Sequence, residues 1–457
     1  MSKEKEILKE TPETKEPEVV VDVQNLSVGF TVRGKKINVI RNISFKVYKG
    51  ETLAIVGESG SGKSVTTKTF TGMLEKNGFV TSGSILFDGM NLAKFKTDED
   101  WRPIRGKRIA TIFQDPMTSL NPLLTIGFQI SEVLMLHSRP SKEEVKSFKE
   151  KEKERIAKEK ELTKEDLLKL ESERKTKIDE LAKKYYEEEI QYMYEGKPNA
   201  LQRKLAQRSG YKRAKLKVSG KPHGMGKREA TVEAIKLLAK VRIPQPAKRV
   251  SDYPFQYSGG MRQRVVIAIA LACRPEILIC DEPTTALDVT VQAQIIALIK
   301  ELQEEYHWTT VFITHDLGVV ANVANRIAVM YGGQIVEYGT VEDVFYNPAH
   351  PYTWALLASL PQLGSKDEAL SYIKGNPPSF SSEIIGEAFA PRNEYAMNID
   401  FVKEPPMFEI SPTHCAKTWL LDPRAPKVEK PKVIQELHQR MKRAAEELKR
   451  QEGVEDE

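Results

Sequence analysis

The 457-residue chain lacks any apolar run long enough to cross a bilayer: the longest, VVIAIALAC at 265–273, stops at nine residues, where about 18 are needed. Cysteine is scarce. The three present, Cys273, Cys280 and Cys415, form no CxxC pair, which excludes a disulfide framework and a paired-cysteine zinc site and suits a reducing compartment. The opening MSKEKEILKETPETKEPE lacks the apolar stretch of a secretory signal, so the chain is expected in the cytosol. Acidic residues are missing altogether between 203 and 228, where ten Lys/Arg fall. The net charge of +6 hides this asymmetry, because residues 141–228 hold 26 Lys/Arg against 17 Asp/Glu while the remainder holds 44 against 47.

What is present is a mostly folded chain, 40% apolar and long enough for roughly three domains of ~150 residues each. Residues 1–18 form a charged, Pro-containing tail expected to be disordered. From 19 to 56 the residues alternate and favour β-branched types, with Arg33-Gly34-Lys35 at a turn, so strands are expected. ETLAIVG reads as a buried strand, and SGSILFDG and RIATIF as two more. The Lys/Glu-rich segment 141–228 reads as helical to near Lys184 and then as a basic, glycine-containing stretch. Apolar spacing returns at 229–241, with Val232, Ile235, Leu238 and Ala239 on one side of a helix. EILICDE and TTVFITHD read as strands around a helix at VTVQAQIIALIKELQEEY, RIAVMYGGQIVEYG as a hairpin, and 432–452 as a charged helix-like tail. Strands alternating with helices give an α/β class.

Three stretches carry chemistry. GESGSGKS at 57–64 fits G-x-x-x-x-G-K-S between a strand and a helix. Backbone N–H groups of Gly57, Ser59, Gly60, Ser61 and Gly62 can close around phosphate oxygens, Lys63 can reach the outer phosphates, and the Ser64 hydroxyl can meet Mg²⁺. ILICDE at 277–282 delivers two carboxylates at the C-terminal end of an apolar strand, the edge where ligands bind in open α/β sheets. Asp281 there suits Mg²⁺, and Glu282 suits a base acting on water beyond the last phosphate. QYSGGMRQR at 256–264 places Ser258, Gly259 and Gly260 before a helix start, which makes a second anion cradle.

Taken in order, the phosphate loop, Gln114 in IFQDP, the signature Ser258–Gln263, the acidic strand, Ala286-Leu287-Asp288 and His315 resemble the ATP-binding cassette family at each of its named elements. The resemblance covers residues 19 to about 345 apart from the charged segment. It implies an α/β P-loop ATPase core with an antiparallel β subdomain, a helical subdomain at about 115–276 carrying the charged insertion at about 141–228, and a C-terminal extension over 346–457. It also implies that two such subunits pack head to tail, so that Ser258, Gly259 and Gly260 of one meet the γ-phosphate of an ATP held mainly by the other. Gln263 and Asp288 are implied nucleotide contacts. Gln114 would touch Mg²⁺ or the attacking water, and His315 would hydrogen-bond the γ-phosphate. Phe30 stands where the family stacks an aromatic ring on adenine; a core strand position is the alternative for it.

QDPMTSLNPLLTIGFQI at 114–130 and YNPAHPYTWALLASLP at 346–361 resemble the ATPase subunits of dipeptide and oligopeptide importers. The implied activity is ATP hydrolysis driving peptide uptake at the cytoplasmic face of the cell membrane. The implied partners are a second, related ATPase, two membrane permease subunits and, indirectly, an external peptide-binding protein, with no nucleic acid. Importers of nickel and other small solutes share the branch and stay open as an alternative. Chromosome-maintenance cassette ATPases, which act on DNA, also carry a charged insertion. Theirs is a coiled coil, whereas 142–175 has few apolar a and d positions, and Pro198, Gly210, Gly220 and Pro222 interrupt the remainder of the segment.

Two departures from the importer pattern stand out. The branch carries four cysteines for an iron-sulfur cluster around PPxxxxxxxGCxFxPRC, while GNPPSFSSEIIGEAFAPRNEYAMNID places Glu387, Asn393 and Asp400 where thiols belong, leaving only Cys415. One thiolate cannot hold such a cluster, so none is expected. The basic insertion reads either as a solvated addition without a partner or as a surface for anionic lipid headgroups.

Overall fold

The computed structural model describes residues 17–194, 196–285, 287–360, 373–380 and 382–436. The expected disordered tail and most of the charged C-terminal tail lie outside them. Two compact units form, one from residues up to Lys96 and from Trp308 onward, the other from Thr97 to His307. This second unit is wider than the 115–276 expected for a helical subdomain.

Alternation at the start of the chain gives β1 (Val19–Val32) and β2 (Lys35–Tyr48), which pair antiparallel. Their turn puts Arg33 and Gly34 in left-handed backbone, at φ 48° and 78°, the twist that a tight hairpin favours. The next strand, β3 (Thr52–Val56), is buried at all five residues and runs into α1 (Lys63–Thr71). β4 (Gly78–Phe87) then lies antiparallel on β1, and the short β5 (Met90–Asn91) closes a four-stranded sheet in the order β2-β1-β4-β5.

Within 97–307, β6 (Ile109–Ile112) precedes a run of helices: α2 (Ile126–His137), α3 (Lys142–Lys160), α4 (Lys164–Met193), α5 (Ala200–Ser219), α6 (Lys227–Lys240) and α7 (Gly259–Leu271). β7 (Ile277–Asp281) pairs parallel with β6, and α8 (Val289–Tyr306) comes next. The charged segment departs from its sequence reading. Its helix does not end near Lys184 but continues to Met193, and the basic stretch is itself helix α5, which passes through Gly210 uninterrupted. The reason is packing: Ala206, Gly210 and Ala214 recur every four residues and are buried. A Cβ at Gly210 would lie 2.8 Å from the Ala182 carbonyl oxygen of α4, so the glycine lets the two helices close up at a cost of only about 1 kcal/mol in propensity. Arg213 then lies 3.9 Å from the Tyr185 ring centre and pairs with Glu229 of α6 at 2.7 Å, while Arg228 of α6 pairs with buried Glu189 of α4. The insertion is therefore a packed helical structure whose α5 presents a basic outer face, while the exposed faces of α3 and α4 carry both signs.

From 308 the chain supplies β8 (Thr309–Thr314), α9 (Leu317–Val323), β9 (Arg326–Tyr331) and β10 (Gln334–Thr340). β3 lies parallel between β8 and β9, and β10 hairpins back on β9. The C-terminal extension is not a separate body. Its helix α10 (Pro351–Ala358) buries Tyr352, Trp354 and Leu357 in one core with Val56, Val329, Tyr331, Phe345 and Phe389, each such side chain contributing about 1.5–3 kcal/mol by leaving water. Its strands β11 (Phe408–Ser411) and β12 (His414–Ala416) add to the sheet beside β10. No helix among the described residues is long and apolar enough to cross a membrane.

Candidate functional site

The phosphate loop is shaped by three glycines in left-handed backbone, Gly57, Gly60 and Gly62, at φ 151°, 79° and 102°. A Cβ at Gly57 would fall 2.1 Å from the Met330 carbonyl oxygen, and one at Gly62 would fall 2.5 Å from Ile40 Cδ1. Only glycine fits both conformation and space. Gly62 caps α1 without a side-chain bond, leaving the helix N-terminus for an anion. Ser61 Oγ is buried and has no hydrogen-bond partner, an orphan that a phosphate oxygen would satisfy. Lys63 is 5% exposed and donates from Nζ to the carbonyls of Gly57 at 2.8 Å and Glu58 at 3.0 Å. Ser59 and Gly60 are exposed and Ser64 is half-buried. This loop fits the β- and γ-phosphates of a nucleotide.

In the same unit, His315 follows β8 and is exposed. Phe30 is 9% exposed and packs on Gly78, where a Cβ would lie 2.8 Å from Phe30 Cε1. Its ring is thus mostly committed to the β1–β4 pair.

In the unit spanning 97–307, β7 delivers Asp281, nearly buried, and then Glu282 in left-handed backbone at φ 49°. This conformation is strained for a residue with a side chain. Gln114 Nε2 donates to Glu282 Oε2 at 2.9 Å, and Thr285 Oγ1 donates to the same oxygen at 3.0 Å. The fold so joins the two residues read as water-directing, although 168 positions separate them. Ser258 and Gly259 are exposed, and Ser258 Oγ accepts from Met261 N at 3.3 Å as the cap of α7. Gly260 is close-fitted, since a Cβ there would meet Val291 Cγ1 at 2.6 Å. Asp288 caps α8 by accepting from Val291 N at 2.9 Å. Gln263 is wholly buried and neither of its amide atoms has a partner. Ala286 lies outside the described residues.

The residues standing where thiols were expected are buried carboxyl and amide groups. Glu387, Asn393 and Asp400 are 5%, 8% and 2% exposed. Glu387 N donates to the Asp400 carbonyl at 2.7 Å, Asn393 Oδ1 accepts from Tyr395 N, and Asp400 Oδ2 accepts from Met397 N at 2.6 Å. His350 is fully buried, with Nε2 3.0 Å from Glu387 Oε1, and its Nδ1 accepts from Tyr352 N. Burial pushes the Asp400 carboxyl up to about 6; the Met397 N–H counters this, and the Glu387 carboxylate adds to it. Cys415 is half-buried on β12, its thiol pushed up to about 11 by burial. Among the described residues no group of three or more His, Cys, Asp or Glu is placed to hold a metal ion. This donor set does not fit an iron-sulfur cluster, which takes thiolates.

Three functional candidates escaped the sequence reading. Arg392 and Tyr352 bond Glu58, the second residue of the phosphate loop, and Tyr331 accepts a hydrogen bond from Arg392. APRN and HPYTW were visible as extension motifs, yet nothing local in either connects it to residue 58.

Comparison with known proteins identifies the family. The family model described as "ABC transporter" matches residues 40–285, and that described as "Oligopeptide/dipeptide transporter, C-terminal region" matches 336–399. The chain is 48% identical over 429 residues to the oligopeptide transport ATP-binding protein AmiE of Streptococcus pneumoniae, covering 94% of this chain and 97% of the relative. It is 46% identical to the dipeptide transport ATP-binding protein DppD of Lactococcus lactis, over 90% of this chain and 93% of that one. With the oligopeptide transport ATP-binding protein OppD of Bacillus subtilis the figure is 43%, over 91% and 92%. The chain belongs to the ABC transporter family, within its oligopeptide and dipeptide transporter branch.

Proposed function

We propose that this chain is the ATP-hydrolysing subunit of a membrane importer for oligopeptides or dipeptides. The observation that carries the reading is the phosphate loop, with its three left-handed glycines, the uncapped α1 N-terminus and the orphaned Ser61 hydroxyl. The peptide-transport names of the relatives and the C-terminal region favour peptide cargo over nickel. Membrane permease subunits follow as partners. The reading adds a second, related ATPase and, indirectly, an external peptide-binding protein, and places the chain on the cytoplasmic membrane face.

In this reading backbone N–H groups of residues 57–64 and Lys63 bind the phosphates, and His315 senses the terminal one. Ser64, Gln114 and Asp281 are the residues assigned to Mg²⁺, which when bound offsets phosphate charge. Glu282 accepts a proton from the attacking water, and its hydrogen bond from Gln114 fixes the carboxylate. Ser258, Gly259 and Gly260 complete the site of the opposing cassette, where a donor of this kind contributes about 10²- to 10³-fold in rate. Gln263, by its burial, supports α7 from behind and leaves the contact to the exposed serine and glycine. Asp288 holds the start of α8. The test is a crosslink between cysteines placed at Ser61 and at Gly259. It should form between copies, or with a related partner ATPase carrying the equivalent change, only with ATP in a Glu282→Gln background. Absence of any crosslink with ATP would refute the head-to-tail arrangement.

A further inference from the structure

Glu58 is held from three sides. Its N–H donates to Tyr352 Oη at 2.8 Å. Its carbonyl accepts from Lys63 Nζ at 3.0 Å and from Ser61 N at 3.2 Å. Its carboxylate takes a two-pronged pair from Arg392, Nη1 to Oε2 at 2.6 Å and Nη2 to Oε1 at 3.0 Å. Of these anchors only Lys63 and Ser61 belong to the loop; Tyr352 and Arg392 come from the C-terminal extension.

Arg392 is itself fixed. Its side chain is 5% exposed, and the remaining donors go to Tyr331 Oη at 3.0 Å, the Lys374 carbonyl at 2.8 Å and the Ile373 carbonyl at 3.3 Å. All five guanidinium N–H groups are thereby used. Tyr331 and Tyr352 pack with ring centres 4.4 Å apart, and Phe389 meets both at 5.2 and 5.3 Å. A planar, fully bonded guanidinium on a packed aromatic support is a rigid mount, and a bidentate pair fixes direction as well as distance.

The loop needs such a mount when nucleotide arrives. Phosphate oxygens then compete with the Gly57 and Glu58 carbonyls for the three ammonium donors of Lys63, which loosens one of the anchors on Glu58. The Glu58 peptide then depends on Tyr352 for its N–H and on Arg392 for its side chain. We propose that Arg392 and Tyr352 are positioning residues for the phosphate loop, so that the C-terminal extension is a working part of the nucleotide site. This rests on the nucleotide reading of residues 57–64.

The test uses the full-length chain in a Glu282→Gln background, titrated with Mg-ATP. Arg392→Ala should raise the Kd about tenfold, and Arg392→Lys, which keeps the charge but not the planar two-pronged fork, should recover part of the loss. Tyr352→Phe should raise it about threefold. In the cycle of Glu58→Ala, Arg392→Ala and the double variant, the double should bind no worse than Arg392→Ala alone, because the arginine acts through Glu58. In the assembled transporter, with Glu282 intact, Arg392→Ala should raise KM for ATP while kcat at saturation stays within about twofold. A purely structural role would lower the active fraction, and hence kcat, and would not show this split. ATP binding by folded Arg392→Ala equal to the parent, or losses that multiply in the double variant, would overturn the proposal. If Arg392→Ala does not fold, wild-type affinity in both Glu58→Ala and Tyr352→Phe would overturn it. Failure of the parent chain to bind ATP at all would instead strike the nucleotide reading itself.

Discussion

Replacing Asp400 by asparagine should stabilise the protein above neutral pH and do little in acid. Asp400 is 2% exposed, and its carboxyl titrates near 6 against an ordinary 3.8, chiefly because burial disfavours the ion. At 1.36 kcal/mol per pH unit the difference is about 3 kcal/mol. Because the folded-state value is the higher one, this group's stability is complete below about pH 4. It is lost as pH rises through about 6 and changes no further above that. Asparagine keeps the oxygen that accepts from Met397 N and presents a donor in place of an ion beside Glu387. For a unit of this size about 3 kcal/mol corresponds to roughly 6–12 °C in Tm. Heat unfolding of the full chain and of Asp400→Asn, at one scan rate between pH 4 and 8, is the assay. The gap should open with rising pH and close near pH 4, and titrations common to both chains cancel in it. A gap independent of pH, or a variant less stable at pH 8, would refute the reasoning.

Four other outcomes are expected. Glu282→Gln should retain ATP binding and lose about 10²- to 10⁴-fold in kcat in the assembled transporter; normal turnover there would remove Glu282 as the base. Gly57→Ala must move either itself or the Met330 carbonyl, 2.1 Å from the new Cβ, and should weaken ATP binding by about 10- to 100-fold, the equivalent of 1–3 kcal/mol of strain; unchanged affinity would show that the loop relaxes freely. Purified chain should be colourless and free of iron, and a brown, iron-containing preparation would refute the ligand argument. Lys204, Arg208, Lys212 and Lys215 share one exposed face of α5 with Leu201, Leu205 and Tyr211. If that face meets lipid, changing the four cations to glutamate should abolish sedimentation with phosphatidylglycerol vesicles at low salt, at about 1 kcal/mol per charge; equal sedimentation would leave the face to solvent.

Local physics was the most legible in the sequence. The β1–β2 hairpin followed from alternation and a glycine turn, and the phosphate loop from glycines whose positive φ values no other residue adopts cheaply. The α5 helix was harder, because Gly210 signals interruption when only its own propensity is weighed. What keeps the helix going is a close approach to Ala182, a residue of another helix. Most hidden was the anchoring of Glu58 by Arg392 across 334 positions. Such a pair has no period and no neighbouring signal, and it exists only after the core around Tyr331, Tyr352 and Phe389 has formed. Gln263 shows the opposite failure: a motif position with a nucleotide role by resemblance is sealed in the interior.

The pairing of β12 with β10 bears on how this protein can be cut. Glu337 of β10 is fully buried and takes hydrogen bonds from Ala349 N, His350 N and His414 Nε2. A fragment ending at 345 would strip away every one of those donors and bare a strand edge able to recruit a foreign strand. Such a trimmed ATPase should clump during expression, and a useful boundary for recombinant work lies beyond β12.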